Sequence, residues 1–116
     1  AQTMTVQYLL GHPETDAIIG LGSVNLTVAP AAVDEAGMDI PMGGFDLTAD
    51  IIAGIEDGTI TATVDQQPYS QGFYAITQLV LYLKYHLYPS DMNTGGLGLV
   101  DASNVASVKE LTGTIR

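Results

Sequence analysis

Apolar and polar positions alternate along the chain in blocks that predict strands and helices in turn. A continuous apolar run lies between Asp16 and Gly22, and such a run is typical of a parallel strand that is covered on both faces. A second strand is predicted from about Asp39 to Phe45, and the alternating residues Ile60 to Gln66 predict a third. Because a helical stretch follows each strand, the pattern predicts an α/β fold with the order βαβαβα.

Capping residues and a proline predict the limits of the helices between these strands. The helix after the first strand runs to Gly37 and contains Pro30, so it either starts close to Pro30 or kinks there. Thr48 is predicted to cap the next helix, and Gly58 is predicted to end it. These limits place the end of each strand directly before the start of a helix.

The two ends of the chain add three shorter elements to this order. Thr3 to Gly11 is predicted to form the last turns of a helix. Leu97 to Val100 is predicted to form a returning strand, and Val105 to Leu111 a short terminal helix.

The helix predicted from Tyr69 to Leu87 is apolar on nearly all of its faces. Phe73, Ile76, Val80 and Leu83 form one stripe, and tyrosines and leucines cover most of the remaining surface. A helix of this kind must be buried all round, and a chain of this length has too few other elements to enclose it. We therefore expect a second copy of the chain to cover this helix, as a homodimer or a swapped assembly.

Polar side chains stand where the three predicted strands end. Ser23 follows the first strand, Asp46 follows the second, and Gln66 closes the third. In an open parallel sheet, ligands bind in the crevice outside the carboxyl ends of the strands. The pattern thus predicts that these three residues converge on one small molecule.

Composition narrows the classes of partner. The chain has 116 residues, with 13 acidic and 3 basic side chains and a net charge of −10. Nucleic acids and anionic membranes are bound through Lys and Arg, so neither is expected as a partner. The absence of cysteine excludes disulfides and a thiolate nucleophile. Features of a signal peptide are not found at the start of the chain.

Three segments together carry a resemblance to a known family: Gly44-Phe-Asp-Leu-Thr48, Ile52-Ala-Gly-Ile-Glu-Asp-Gly58, and Thr63-Val-Asp-Gln-Gln-Pro-Tyr69 with Gln71-Gly72. They resemble the C-terminal half of type I periplasmic solute-binding proteins, and among these the sugar-binding components of bacterial ABC importers. The resemblance extends from Asp16 to Val100. It implies a flavodoxin-like parallel sheet with flanking helices, which forms part of the C-terminal lobe of a two-lobe protein.

The resemblance also implies a division of the chain and a role for it. Residues 1–66 would form part of the C-terminal lobe, residues 67–96 a crossover and a helix that packs in the other lobe, and residues 97–116 a returning strand and terminal segment. The chain would be a fragment of a periplasmic or extracytoplasmic protein that delivers a sugar to an ABC permease. The effector-binding domain of a lactose-repressor-like regulator is the alternative, because it shares this fold.

Within the family, the acid of Gly-Phe-Asp and the glutamine of the Asp-Gln-Pro-like motif contact sugar hydroxyls, and these match Asp46 and Gln66. A sugar also needs apolar surfaces against its C–H faces, for which Phe45 and Tyr69 are candidates. Ser23 lies where the family often has Asn or Asp, so the third contact differs here.

Structural roles remain open for the same residues. Asp46 is also suited to a helix cap or a turn, Ser23 to an N-cap, and Phe45 and Tyr69 to a core. Gln67 competes with Gln66, because a shift of one residue exchanges which side chain faces the cleft. Asp65 is expected at a hinge or as a cap.

Catalytic and metal-binding roles are not favoured by the pattern. His12, Glu14 and Asp16 have alternating spacing, but they precede the first strand and would lie opposite the cleft, where a solvated loop is the simpler interpretation. No nucleophile or acid–base pair accompanies Asp46 at the strand ends, so we expect binding without catalysis.

Overall fold

A computed structural model of the chain describes residues 1–94 and 98–116. A small sheet is flanked by helices, with the predicted βαβαβα order confirmed in its first part. The helices are α1 Gln2–Gly11, α2 Ser23–Glu35, α3 Ala49–Asp57, α4 Pro68–Tyr85 and α5 Val105–Lys109; the strands are β1 Ile18–Gly20, β2 Met42–Phe45, β3 Ala62–Val64 and β4 Leu99–Asp101.

The sheet has the strand order β1-β2-β3-β4. Strand β2 is parallel to both β1 and β3, while β4 is antiparallel to β3. Each of the first three strands is shorter than the sequence predicts, because the apolar runs continue beyond the residues that pair. The returning strand begins at Leu99, and the predicted start of this strand at Leu97 lies outside the described residues.

Helix α2 begins at Ser23 and continues through Pro30 to Glu35. The alternative in which this helix starts close to Pro30 is therefore wrong. Proline removes one hydrogen bond to the carbonyl four residues before it, and burial on the same helix outweighs this loss. Leu26, Ala29 and Val33 are all buried against the sheet.

Both predicted limits of helix α3 are confirmed. The Thr48 hydroxyl accepts a hydrogen bond from the N–H of Ile51 at 3.2 Å, as an N-cap side chain does. Gly58 ends the helix with a φ of 85°, in the left-handed region that glycine adopts without steric cost. These caps fix where α3 starts, and therefore where the residues just before it lie.

One apolar core lies between the sheet and its helices. Its fully buried large side chains include Leu9 of α1, Leu26 of α2, and Ile51 and Ile55 of α3. Val105 and Val108 of α5 join the same core from the last part of the chain. The core therefore packs residues 1–64 and residues 98–116 together, so that both ends of the chain belong to one body.

Helix α4 stands apart from this core. None of its 18 residues is buried, and Phe73, Ile76 and Leu83 each expose more than half of their surface. The described chain is elongated, with extents of 59 × 28 × 18 Å. In the described part of the chain, no helix has both the length and the hydropathy that crossing a bilayer requires.

Candidate ligand-binding site

The ends of strands β1, β2 and β3 lie side by side, because all three run in the same direction. Gly20 pairs with Gly44, and Phe45 pairs with Val64, so the residues that follow each strand leave the sheet at the same edge. Ser23 starts helix α2 there, Asp46 follows β2, and Gln66 lies two residues after β3. The structure brings these three residues together at one end of the sheet, while their convergence on one small molecule stays a prediction.

The Asp46 carboxylate joins the other two residues. Its Oδ2 accepts a hydrogen bond from the backbone N–H of Ser23 at 3.0 Å. Its Oδ1 accepts one from the side-chain amide of Gln66 at 2.6 Å. Each carboxylate oxygen has a second lone pair, so both oxygens can still accept a hydrogen bond from a ligand hydroxyl.

The backbone of Asp46 is also held firmly. Its N–H donates to the carbonyl of Val64 at 2.9 Å, and its carbonyl accepts from the buried hydroxyl of Thr63 at 2.8 Å. Asp46 adopts a φ of 76°, which is rare outside glycine but tolerated by Asp and Asn. The result is a carboxylate whose position is set before any ligand arrives.

A cavity of about 340 Å³ lies over these groups. Its lining residues are Ser23, Asp46, Leu47, Asp65, Gln66, Pro68 and Arg116. The volume falls at the lower end of the roughly 300–1,000 Å³ typical of small-molecule sites. A larger cavity of about 470 Å³ lies along α4, and its lining contains no charged side chain among the described residues.

The structure shows which of the two adjacent glutamines, Gln66 or Gln67, faces the cavity. Gln66 lines it, whereas Gln67 forms the N-cap of α4 with a φ of 52°. Asp65 is buried, and its Oδ1 accepts a hydrogen bond from the N–H of Gln67 at 2.8 Å. Asp65 thus closes the turn between β3 and α4. The N-cap position is Gln67 and has no side-chain cap hydrogen bond, so the alternative in which Asp65 caps the helix is wrong, and its role at a hinge stays a prediction.

The two aromatic candidates lie outside the lining of this cavity in the described part of the chain. Phe45 is half-buried at the end of β2. Tyr69 is 55% exposed and stacks on Phe73 with ring centroids 6.3 Å apart. Stacking of either ring on a ligand therefore stays a prediction.

One residue of the site was missed by the sequence patterns. Arg116 lines the cavity although it lies 51 positions after Asp65 in the chain, and its guanidinium donates to Asp65 Oδ2 at 2.7 Å. No local motif marks this residue. The available signal is its rarity, because Arg116 is one of only three basic side chains in a chain with 13 acidic ones.

Comparison with known proteins matches residues 1–86 to the periplasmic binding protein domain. Over 104 residues, the chain is 33% identical to the xylose/arabinose-binding protein XylF of Sulfolobus acidocaldarius, a match that covers 81% of this chain and 26% of that protein. The chain spans about a quarter of the length of the curated relatives it matches.

Solved structures give the same relationship. A carbohydrate transporter from Acidothermus cellulolyticus 11B, in complex with myo-inositol, has a TM-score of 0.86 and 33% identity, covering 95% of this chain and 39% of that chain. A LacI transcriptional regulator from Bacteroides fragilis has a TM-score of 0.73 at 21% identity, covering 91% of this chain and 37% of that chain, and this likeness concerns the fold alone.

These relatives carry the names of binding, transport or regulatory proteins rather than of enzymes. The matched residues include strands β1 to β3 and the three polar residues at their ends. The chain belongs to the periplasmic binding protein domain family, in the type I class that the resemblance of its motifs indicates.

Proposed function

We propose that this chain is part of an extracytoplasmic sugar-binding protein that presents a neutral sugar or polyol to an ABC importer. The observation that carries the proposal is the Asp46 carboxylate, fixed by Ser23 and Gln66 at the carboxyl ends of parallel strands. A sugar hydroxyl both donates and accepts hydrogen bonds, and a fixed carboxylate beside an amide and a hydroxyl meets both needs.

The names of the relatives support this class of ligand. XylF is named for xylose and arabinose, and the structure from Acidothermus cellulolyticus holds myo-inositol. All of these molecules carry several hydroxyl groups on neighbouring carbons. We propose Asp46, Gln66 and Ser23 as the hydroxyl contacts, with Phe45 and Tyr69 as apolar platforms once a second lobe closes.

The division of the chain follows from the same proposal. Residues 1–66 form part of the C-terminal lobe, and residues 67–96 provide a crossover and the helix that the other lobe covers. Residues 97–116 return to the C-terminal lobe that residues 1–66 form in part, which agrees with the packing of Val105 and Val108 in its core. Ligand binding would then close the two lobes by a hinge motion near Gln66 to Pro68.

The exposed helix α4 also supports a proposal about the isolated chain. With a second lobe absent, two copies of the chain would cover their apolar helices by pairing them as a homodimer. Light scattering coupled to gel filtration tests this directly. A dimer that Leu83→Lys converts to a monomer supports the proposal, and a stable wild-type monomer overturns it.

The regulator alternative draws on likeness of fold alone. It places the protein in the cytoplasm and requires a helix-turn-helix segment before residue 1 in the parent gene. An export signal in the parent gene would decide for the transport receptor.

Calorimetry on the complete parent protein tests the main proposal. The expected result is saturable binding of at least one of myo-inositol, D-xylose, D-arabinose and D-ribose, with a one-to-one stoichiometry. A folded parent protein that binds none of these compounds, or other neutral sugars of similar size, would contradict it.

A further inference from the structure

Arg116 reaches the candidate site through a tight turn. The N–H groups of Ile115 and Arg116 donate to the carbonyl of Leu111 at 3.2 and 3.0 Å. Gly113 supplies the left-handed backbone of this turn, with a φ of 82°. The chain folds back after α5, and the Arg116 side chain lines the cavity that holds Asp46 and Gln66.

The Asp65 carboxylate holds the guanidinium of Arg116 in place and compensates its positive charge. The Asp65 side chain is only 2% exposed, and its two oxygens accept from Arg116 at 2.7 Å and from the N–H of Gln67 at 2.8 Å. A buried carboxylate without such partners would be strongly unfavourable. The pair therefore sits at the edge of the cavity as a unit with no net charge.

The guanidinium retains donors for a ligand. Arg carries five N–H groups in a planar fork, and among the described residues its side chain makes one hydrogen bond, to Asp65. The Arg116 side chain is 34% exposed, so the remaining donors are accessible from the cavity. They complement Asp46, which can only accept.

Charge in the cavity is distributed unequally between its two carboxylates. Asp46 is held by an N–H and an amide, which are neutral, so no cationic partner balances its carboxylate among the described residues. Asp65 is compensated by Arg116. A carboxylate on a ligand would thus meet the uncompensated Asp46 and a guanidinium already occupied by Asp65, and like charges in contact are costly.

We propose that Arg116 contacts the ligand directly, donating to a hydroxyl oxygen beside the hydroxyl that Asp46 accepts from, and that Asp65 makes the site selective for neutral over anionic sugars. This inference rests on the proposed function and deepens it: the ligand class becomes uncharged polyols with vicinal hydroxyls. Arg116 acts by contact, and Asp65 acts as a positioning residue through Arg116.

Substitution of Arg116 in the complete parent protein tests the contact. Arg116→Gln is expected to weaken binding of the neutral ligand found in the panel above by about 10- to 100-fold, because a hydrogen bond from a charged donor is lost. Lys109→Gln is the matched control: Lys109 is also a paired cation, bonded to Glu56 at 2.8 Å, and it does not line the cavity. This control should bind as the wild-type protein does.

Substitution of Asp65 tests selectivity, which a purely structural role would not alter. The quantity measured is the affinity for D-glucuronate or D-galacturonate divided by the affinity for the neutral ligand. Asp65→Asn leaves the guanidinium uncompensated and should raise this ratio about tenfold. The double variant Asp65→Asn with Arg116→Gln should return the ratio to the wild-type value, which separates the charge effect from a folding defect.

The outcomes distinguish this inference from the proposed function. A parent protein that binds no neutral sugar or polyol overturns both. A parent protein that binds one, with the affinity unchanged in folded Arg116→Gln, overturns the contact alone. An unchanged uronate ratio in Asp65→Asn, in a protein shown by circular dichroism to be folded, overturns the selectivity.

Discussion

Asp46 has a left-handed backbone conformation. Its carboxylate accepts hydrogen bonds from residues that follow the two neighbouring strands. A non-glycine residue in this region of backbone space carries strain of about 1–3 kcal/mol. The four hydrogen bonds of Asp46, to Ser23, Val64, Thr63 and Gln66, offset this strain. The geometry is therefore maintained by the fold, which holds the carboxylate in place for the ligand hydroxyl that we propose it binds.

Replacement of Asp46 should separate binding from folding. Asn tolerates the left-handed backbone, so Asp46→Asn should change the free energy of unfolding by less than about 1 kcal/mol. It removes the charged acceptor, and sugar affinity of the parent protein should fall at least about tenfold. Calorimetry and thermal unfolding measure the two quantities. Wild-type affinity in Asp46→Asn would show that the carboxylate does not contact the ligand.

Gly44 in strand β2 is required because the backbone of the neighbouring strand β1 lies very close to it. A Cβ atom on Gly44 would collide with the carbonyl oxygen of Gly20 on the neighbouring strand. Gly44→Ala should therefore lower the free energy of unfolding by about 1–3 kcal/mol or more, through forced separation of β1 and β2.

Thermal or urea unfolding of the chain checks the prediction for Gly44. The matched control is Gly72→Ala in helix α4, where a Cβ meets nothing within 4 Å. That change should stabilise the chain slightly, by about 0.5–1 kcal/mol, because alanine favours helix. Equal effects of the two substitutions would contradict the steric argument.

At the scale of elements, the turn between β4 and α5 depends on Asp101. The hydroxyl of Ser103 donates to Asp101 Oδ1 at 2.6 Å, and the N–H of Ser103 donates to the same oxygen at 2.8 Å. The side-chain hydrogen bond first, and the backbone hydrogen bond second, lower the pKa of Asp101 below its ordinary value. The turn therefore favours the ionised carboxylate.

This lowered pKa predicts a dependence of the turn on acidity. Because the folded-state pKa lies below the unfolded one, the contribution of Asp101 to stability is fully present above the unfolded pKa and is lost as pH falls through the folded pKa. Ser103→Ala should raise the pKa of Asp101 towards that of an unfolded chain. NMR titration of the carboxyl carbon measures both values. An unchanged pKa in the variant would show that Ser103 is not its cause.

The elements that local signals define were predicted well. Thr48 and Gly58 bound α3 as expected, because a cap hydroxyl and a left-handed glycine act within a few residues of the helix end. Helix α2 was harder to predict, since the penalty of Pro30 is local while the burial that offsets it is tertiary.

The residues of the candidate site also differ in whether local patterns or tertiary contacts determine their position. Ser23, Asp46 and Gln66 could be placed together from the sequence, because parallel strands bring their carboxyl ends to one edge. Arg116 and its bond to Asp65 could not, because the two residues are joined only by the return of β4 and the turn after α5. Contacts between residues distant in sequence leave no periodic pattern.

On the scale of the whole molecule, the exposed apolar surface of the chain is unevenly distributed. One end is a packed lobe, whereas the other is a helix whose large apolar residues all remain partly exposed. An exposed apolar surface of this extent marks an interaction site or a tendency to associate. The candidate cavity lies between these two parts, with Pro68 of α4 at its edge.

This placement predicts weak binding by the 116-residue chain alone. A small-molecule site buries about 70–90% of its ligand, whereas in the proposed two-lobe arrangement this chain would contact a sugar from one side and leave its other hydroxyls in water. The chain should therefore bind the ligand of the parent protein at least about 100-fold more weakly, with a dissociation constant near or above 1 mM. NMR shift changes at Asp46, Ser23 and Gln66 on addition of millimolar sugar would locate this residual binding, and Asp46→Asn should abolish them. Submicromolar affinity by calorimetry would mean that this single lobe, or a dimer of it, already encloses the ligand, and that closure by a second lobe is not what desolvates the hydroxyls.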